Sequence, residues 1–176
     1  MSVIFLAGVH GVGKGFLGIP VARRLGIDHF TASQLIREER GQISWDEDKR
    51  TAEVEINQLA LIRAVNQKRE SGKDILLDGH FVLRAINGGR TRVPSNVFAQ
   101  LRLVGAVVLK EDANIISRRL AARDGAVADV NEIEDLAAEE LLHAEIVCQQ
   151  LHVPLAIINS PNEASLVGAI TKFLSR

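Results

Sequence analysis

A glycine-rich segment with one lysine lies near the start of the chain, between an apolar run and an amphipathic run. It reads Gly8-Val9-His10-Gly11-Val12-Gly13-Lys14-Gly15. Glycines allow positive φ angles and leave no side chain in the way, so successive backbone N–H groups can line one concavity that suits an anion. A following helix N-terminus adds partial positive charge, and Lys14 adds a full charge. The segment therefore predicts a phosphate-binding P-loop (Walker A) for the β- and γ-phosphates of a nucleotide.

The residues after Lys14 depart from the common P-loop pattern. A serine or threonine usually follows the lysine, and its hydroxyl contacts Mg²⁺. Here Gly15 and Phe16 occupy these positions. We therefore expect a metal ion to be held mainly by the nucleotide, by water and by a carboxylate elsewhere.

The elements that must position the loop read as alternating strands and helices. We predict strands over 3–7, 26–30, 74–78, 104–109 and 155–158. We predict helices over 14–25, 34–37 (capped within 31–33), 47–70, 96–101 (capped by Ser95), 112–122, 131–151 and 163–174. Loops are predicted over 41–46, which carries Trp45, and over 88–94, where a small hairpin is an alternative. Pro20 is expected to kink or shorten the first helix, and the acidic run over 132–145 is expected to form a solvated helix face. This alternation predicts an α/β P-loop NTPase fold, with a five-stranded parallel sheet and helices on both faces.

Ligands of such sheets bind beyond the carboxyl ends of the strands. We therefore expect the P-loop, Asp28, the segment 78–84 and Lys110 to lie along one rim. Asp78 ends a predicted strand, where a carboxylate either holds a metal ion or caps the next segment. The first role is favoured on a sheet that carries a P-loop.

Composition limits the class of protein. The chain has 176 residues, which predicts one domain. Hydrophobic residues make up 47% and charged residues 24%, as in soluble globular proteins, and a net charge of -1 gives no overall basic field for nucleic acid. Cys148 is the single cysteine, which excludes an intrachain disulfide and a Cys-rich zinc site. Without an apolar run of transmembrane length or a basic leader, a cytoplasmic protein with no membrane partner is expected.

Several segments resemble the adenylate kinase family of P-loop nucleoside monophosphate kinases. The P-loop resembles that of the family, in which glycine after the lysine is common. The segment 31–37 is similar to the AMP-site helix, and 76–79 is similar to the third-strand segment. Asp78-Gly79-His80 followed by Arg84, and the path over 88–95, resemble the archaeal type in particular. Ser117-Arg118-Arg119 with Arg123-Asp124 resembles the helix that leads into the lid.

The resemblance implies phosphoryl transfer from ATP to a nucleoside monophosphate, as in ATP + AMP to 2 ADP. Lys14 and the loop residues Gly8, His10, Gly11, Val12, Gly13, Gly15 and Phe16 would contact ATP, and Asp78 would hold Mg²⁺ through water. Arg37 and Arg84 would clamp the acceptor phosphate, because guanidinium forks suit phosphate oxygens. Arg119 and Arg123, one helical turn apart, would close over the ATP phosphates, and Thr31 or Ser33 would contact the acceptor. Residues 31–71 would form an acceptor-site insertion and 119–131 a lid, and the archaeal type suggests a homotrimer.

Two alternatives stay open. Small-molecule kinases share the P-loop but bind different acceptors, so the acceptor could be another small metabolite. The second alternative is a nucleotide-binding regulatory protein with little turnover. It is favoured by the missing P-loop hydroxyls and by the lack of any arginine between Arg123 and Arg176, where adenylate kinases usually place further lid arginines.

Overall fold

The computed structural model describes residues 1–41, 50–84, 89–125 and 128–175. Its strands are β1 (Val3–Ala7), β2 (Asp28–Thr31), β3 (Ile75–Asp78), β4 (Val82–Arg84), β5 (Arg90–Arg92), β6 (Leu103–Lys110) and β7 (Leu155–Asn159). Five of them form one parallel sheet in the order β2-β3-β1-β6-β7, and β4 and β5 form an antiparallel hairpin. The predicted five-stranded parallel α/β fold, with the P-loop on its first strand, is confirmed.

Seven helices are described: α1 (Lys14–Leu25), α2 (Ala32–Arg40), α3 (Arg50–Arg69), α4 (Ser95–Leu101), α5 (Ala113–Asp124), α6 (Val130–Gln150) and α7 (Glu163–Leu174). They cover both faces of the sheet, which explains why every residue of β1 is buried. Phe5 faces a core with α3, α4 and α6, whereas Ile4 and Leu6 face a core with α1, α5 and α7. Within the described part of the chain, no helix has the length and apolar character needed to span a bilayer.

The carboxyl ends of the central strands meet at one rim. Leu6 of β1 is in register with Asp78 of β3, and Asp78 is in register with Thr31 of β2. The prediction for Asp28 was wrong, because this residue begins β2 and lies at the opposite edge, 3.7 Å from Lys73. The second strand starts two residues later than expected, so Thr31 reaches the rim instead.

Two local expectations at the helices differ from the structure, namely that Pro20 would shorten α1 and that Ser95 would cap α4. Pro20 lies inside α1 without shortening it: the buried Leu17, Val21 and Ala22 anchor that helix to the sheet, and tertiary packing outweighs one lost hydrogen bond. Ser95 begins α4, and Pro94 precedes it as the N-cap. Trp45 and the predicted helical residues 47–49 fall outside the described residues.

Candidate functional site

The P-loop has the backbone geometry that its glycines permit. Gly8 has φ 137° and Gly13, the N-cap of α1, has φ 106°. A Cβ atom at Gly8 would lie 2.7 Å from the carbonyl oxygen of Leu109, which is closer than real contacts allow. Both glycines are therefore required for the loop to turn between β1 and α1.

Lys14 is turned into the loop and is only 8% exposed. Its Nζ donates to the Gly8 carbonyl oxygen at 2.6 Å and lies 3.4 Å from His80 Nε2. The same Nζ lies 3.8 Å from Asp78 Oδ1. Burial lowers the pKa of the ammonium group, and the carboxylates of Asp78 and Glu140 oppose that shift. The Lys14 ammonium group thus lies within the loop, where it donates hydrogen bonds to backbone carbonyl oxygens.

Asp78 ends β3 beside the loop, as predicted from the sequence. Burial raises the pKa of its carboxyl group to about 6, and attraction to Lys14 offsets only part of the rise. The described residues contain no group of three or more His, Cys, Asp or Glu side chains placed to hold a metal ion. A single carboxylate nevertheless fits Mg²⁺ in a nucleotide site, because this ion keeps several waters and takes its remaining ligands from phosphates.

Two histidine rings meet at the loop, one from His10 of the loop itself and one from His80 after β3. The rings of His10 and His80 are 4.4 Å apart, centroid to centroid, and are tilted by 42°. Burial lowers the pKa of both imidazoles, and the charge of Lys14 adds to the shift. Both rings are therefore expected to be neutral at pH 7, so they add no charge to the phosphate site.

Glu140 was not found from the sequence, because the acidic run over 132–145 was interpreted as a solvated helix face. That interpretation was wrong for this residue, whose side chain is buried with 1% exposure. Its Oε1 accepts from the N–H groups of Phe81 at 2.9 Å and Gly8 at 3.3 Å, and its Oε2 accepts from Val82 at 2.6 Å. Burial raises its pKa, and the N–H donors oppose the rise. The signal that could have found it is the helical spacing of the buried residues of α6: Ile133, Leu136, Glu140, His143 and Val147.

A cavity of about 1000 Å³ opens at the P-loop and continues along the rim between β3, α2, α3 and α4. Its phosphate end is lined by His10, Gly11, Gly13, Lys14, Gly15, Phe16, Asp78 and His80. Its far end is largely apolar and includes Phe5, Ile36, Leu61, Val97, Phe98 and Leu101, with Thr31, Ser33, Asn57, Gln58 and Thr91 as polar neighbours. The arrangement joins an anion site to a chamber of the size that small ligands occupy.

Comparison with known proteins identifies the family. A family model described as an AAA domain matches residues 7–137, which is more than half of the chain. The chain belongs to this AAA-domain family. No curated protein matches the sequence.

Solved structures resemble this AAA-domain chain over almost its whole length. A gluconokinase from Sinorhizobium meliloti has a TM-score of 0.51 and 16% identity, over 99% of this chain and 91% of that chain. A shikimate kinase from Bacteroides thetaiotaomicron has a TM-score of 0.54 and 18% identity, over 99% of each chain. At such identities the likeness concerns the fold alone, which is that of P-loop NTPases.

The arginines of the AAA-domain chain occupy different surroundings. Arg84 and Arg123 line the cavity. Arg84 pairs with Glu132 at 2.6 Å, and Arg123 pairs with the adjacent Asp124 at 2.7 Å. Both guanidinium groups are thus neutralised by exposed or half-exposed carboxylates, which an incoming phosphate could displace.

The other two predicted arginines do not line that cavity. Arg119 Nη1 donates to the carbonyl oxygen of Val12 at 3.2 Å, and its Nη2 donates to Glu111 at 3.3 Å. It therefore contacts the P-loop from outside. Arg37 is exposed on α2. Of the predicted acceptor residues, Thr31 and Ser33 do line the cavity, and Thr31 also caps α2 by accepting from the Gln34 N–H.

Proposed function

We propose that the protein transfers the γ-phosphoryl group of ATP to a small acceptor, and that the acceptor is a nucleoside monophosphate. The observation that carries the proposal is one cavity that joins Lys14 and Asp78 at the P-loop to an apolar chamber, with Arg84 in its lining. Phosphoryl transfer requires positioning of two ligands and cations around the transferring group more than covalent chemistry by the protein. The family and the kinase-like fold agree with this reaction class.

Each role follows from a contact or a charge. The Lys14 ammonium would exchange its bond to the Gly8 carbonyl for the β- and γ-phosphate oxygens, and loop N–H groups would hold the same phosphates. Asp78 would hold Mg²⁺, largely through water, and when bound this ion would neutralise charge on the phosphates. Arg84 would hold the acceptor phosphate in place of Glu132. Arg123, which also lines the cavity, would approach the transferring group.

The lining of the chamber favours a ring-bearing acceptor over a polyhydroxy acid. A polyol would need many hydrogen-bond partners to compensate for its lost hydration, whereas the far end of the cavity is formed mainly by phenylalanine, leucine, isoleucine and valine side chains. A nucleobase presents flat apolar faces and a few polar edges, which matches this lining with Thr31, Ser33 and Asn57 at its margin.

The deciding assay follows ADP formation from Mg-ATP with a panel of nucleoside monophosphates and, separately, with gluconate and shikimate. We expect transfer to at least one monophosphate and none to the two hydroxy acids, with Lys14→Ala as the inactive control. ADP formation that depends on a hydroxy acid, with none for any monophosphate, would reassign the acceptor to another small metabolite.

A regulatory nucleotide-binding role is the second candidate, and one observation favours it. Gly15, followed by Phe16 with 84% exposure, takes the position where a hydroxyl usually contacts the metal ion, so this P-loop offers fewer ligands than a fast kinase normally uses. Calorimetry that shows ATP binding, combined with no transfer to any acceptor of the panel, would support this role over a kinase.

A further inference from the structure

One carboxylate connects the two segments that form the phosphate end of the cavity. Glu140 lies in the middle of α6 and accepts hydrogen bonds from Gly8 on one side and from Phe81 and Val82 on the other. A buried glutamate is costly unless its oxygens are satisfied. Here both oxygens accept hydrogen bonds from backbone N–H groups, so the side chain holds the surrounding backbone segments in place.

The two connected segments carry the two charged residues of the site. Gly8 opens the P-loop, and its carbonyl oxygen accepts from Lys14 Nζ at 2.6 Å, so Glu140 and Lys14 hold Gly8 from opposite ends. Phe81 and Val82 follow Asp78 by three and four residues. The distance of 3.8 Å between Lys14 Nζ and Asp78 Oδ1 therefore depends on the relative position of the P-loop and the segment after β3, and Glu140 binds both segments.

The same carboxylate also faces His80. Its Oε1 lies 3.8 Å from His80 Nδ1, while Nε2 of that ring lies 3.4 Å from Lys14 Nζ. An ammonium group can only donate, so the contact with Lys14 requires the tautomer in which Nε2 accepts and Nδ1 carries the hydrogen. Nδ1 then lies on the side of the ring that faces Glu140. Orientation of the ring by a neighbouring carboxylate is the arrangement by which outer groups fix the side chains that contact a ligand.

We propose that Glu140 is the positioning residue of the phosphate site, which fixes the P-loop and the segment after β3 in the arrangement that receives a nucleotide. The inference rests on nucleotide binding by the P-loop, which is part of the proposed function. Glu140 is buried beneath the loop, so it acts through Gly8, Phe81, Val82 and His80 and does not touch the nucleotide itself.

The test compares Glu140→Ala, Glu140→Gln and a control, Val147→Ala, by calorimetric titration with Mg-ADP at a temperature where all variants are folded. Val147 is buried on the same helix two turns later, so its truncation loosens α6 without touching the phosphate site. We expect Glu140→Ala to raise the Kd about tenfold or more, as the loss of hydrogen bonds to a charged group does. Glu140→Gln keeps one acceptor oxygen but turns the other into an NH2 donor, which cannot accept from a backbone N–H, so it should recover part of that loss. Val147→Ala should lower Tm with Kd nearly unchanged.

Three results would overturn the inference. Equal Kd changes in the alanine and glutamine variants would mean that only the charge matters. Tighter binding in both would have the same meaning, since removal of a negative charge beside Lys14 favours phosphate. A Kd change in Val147→Ala as large as in Glu140→Ala would mean that α6 contributes only stability. If Glu140→Ala does not fold, the comparison of Glu140→Gln with Val147→Ala decides.

A measurement without nucleotide separates this inference from the proposed function. Amide hydrogen exchange of the nucleotide-free protein should accelerate at Gly8, Phe81 and Val82 in Glu140→Ala beyond the change that Val147→Ala produces there. Unchanged exchange at these amides overturns the inference even if the wild type binds ADP. Absence of ADP binding in the wild type overturns the proposed function, and the exchange rates still report whether Glu140 holds the two segments.

Discussion

Lys14 and Asp78 face each other across the mouth of the P-loop, with Nζ and Oδ1 3.8 Å apart and both side chains nearly buried. The pair brings together residues from the first helix and the third strand. Burial works against both charges, because it lowers the pKa of Lys14 and raises that of Asp78. Each charge partly compensates the other at this distance, and a bound metal ion and phosphates would add further partners.

The raised pKa of Asp78 predicts a defined pH dependence of stability. Its pKa is about 6 in the folded protein against 3.8 as the ordinary value. Between these values the unfolded chain loses the proton and the folded protein keeps it, so this group's contribution to stability falls as pH rises from 3.8 to 6. The shift corresponds to about 3 kcal/mol.

Denaturant unfolding of the wild type and Asp78→Asn, in the presence of EDTA, isolates that contribution. The free energy of unfolding of the wild type relative to Asp78→Asn should decrease through this pH window and be level above it. A relative free energy that rises with pH would show that ionised Asp78 is stabilised in the fold, contrary to the dominance of burial.

Lys14 and Arg84, which both line the cavity, should have separable effects. Lys14→Ala removes the only full charge of the P-loop, so it should weaken ATP binding by roughly tenfold to a hundredfold and abolish transfer. Arg84→Ala should leave the Kd for ATP nearly unchanged, raise the KM of the acceptor and lower kcat. Calorimetry and initial rates measure these quantities, and an equal loss of ATP affinity in both variants would remove Arg84 from the acceptor site.

In the proposed site, Glu132 would compete with the acceptor phosphate for Arg84. The pair has a separation of 2.6 Å, and both side chains are more than a third exposed, so its net strength is small. Glu132→Gln should therefore lower the acceptor KM by about two- to fourfold, the equivalent of a surface ion pair, with the Kd for ATP unchanged. Glu134→Gln, an exposed neighbour on α6, is the matched control. A KM that increases in Glu132→Gln would mean that Glu132 supports the acceptor site.

The loop and the sheet were predictable because their signals are local. Glycines with a lysine between an apolar run and an amphipathic run specify the strand, loop and helix over 3–25, and the bounds of β1 and α1 agree with the prediction. Asp78 was placed correctly because a carboxylate that follows a continuous apolar run must lie at the end of a buried strand. Parallel strands then bring that end beside the P-loop.

The support beneath the site was not predictable because it depends on contacts distant in sequence. Glu140 lies among other acidic residues, and only the packing of α6 under the P-loop distinguishes it from exposed neighbours such as Glu134. The same holds for β4, which was not predicted, since its three residues form a hairpin only by pairing with β5. Arg119 likewise forms its bonds to Val12 and Glu111 through the approach of α5 to the loop.

The last prediction concerns the missing hydroxyl at Gly15. A Cβ atom at this position would meet no other atom within 4 Å, so close packing does not require glycine and a threonine is expected to fit. A hydrogen bond or ligand to a charged group is worth roughly 1.5–3 kcal/mol, and Gly15→Thr should therefore strengthen Mg²⁺-dependent ATP binding by about tenfold or more. In the wild type, Asp78→Ala should be unusually damaging to Mg²⁺-dependent activity, because no P-loop hydroxyl shares the metal.

Titration of ATP with and without Mg²⁺ in the wild type, Gly15→Thr and Gly15→Val tests the role of the hydroxyl. Valine has the shape of threonine without the hydroxyl, so it separates that group from the helix propensity gained on replacing glycine. We expect tighter Mg²⁺-dependent binding in Gly15→Thr alone. If the threonine variant folds normally and its Mg²⁺-dependent affinity equals that of Gly15→Val, the hydroxyl adds no metal ligand here. Glycine at this position then ceases to argue for a slow regulatory protein, and the scarcity of arginines after Arg123 is left as the sequence feature that supports that role.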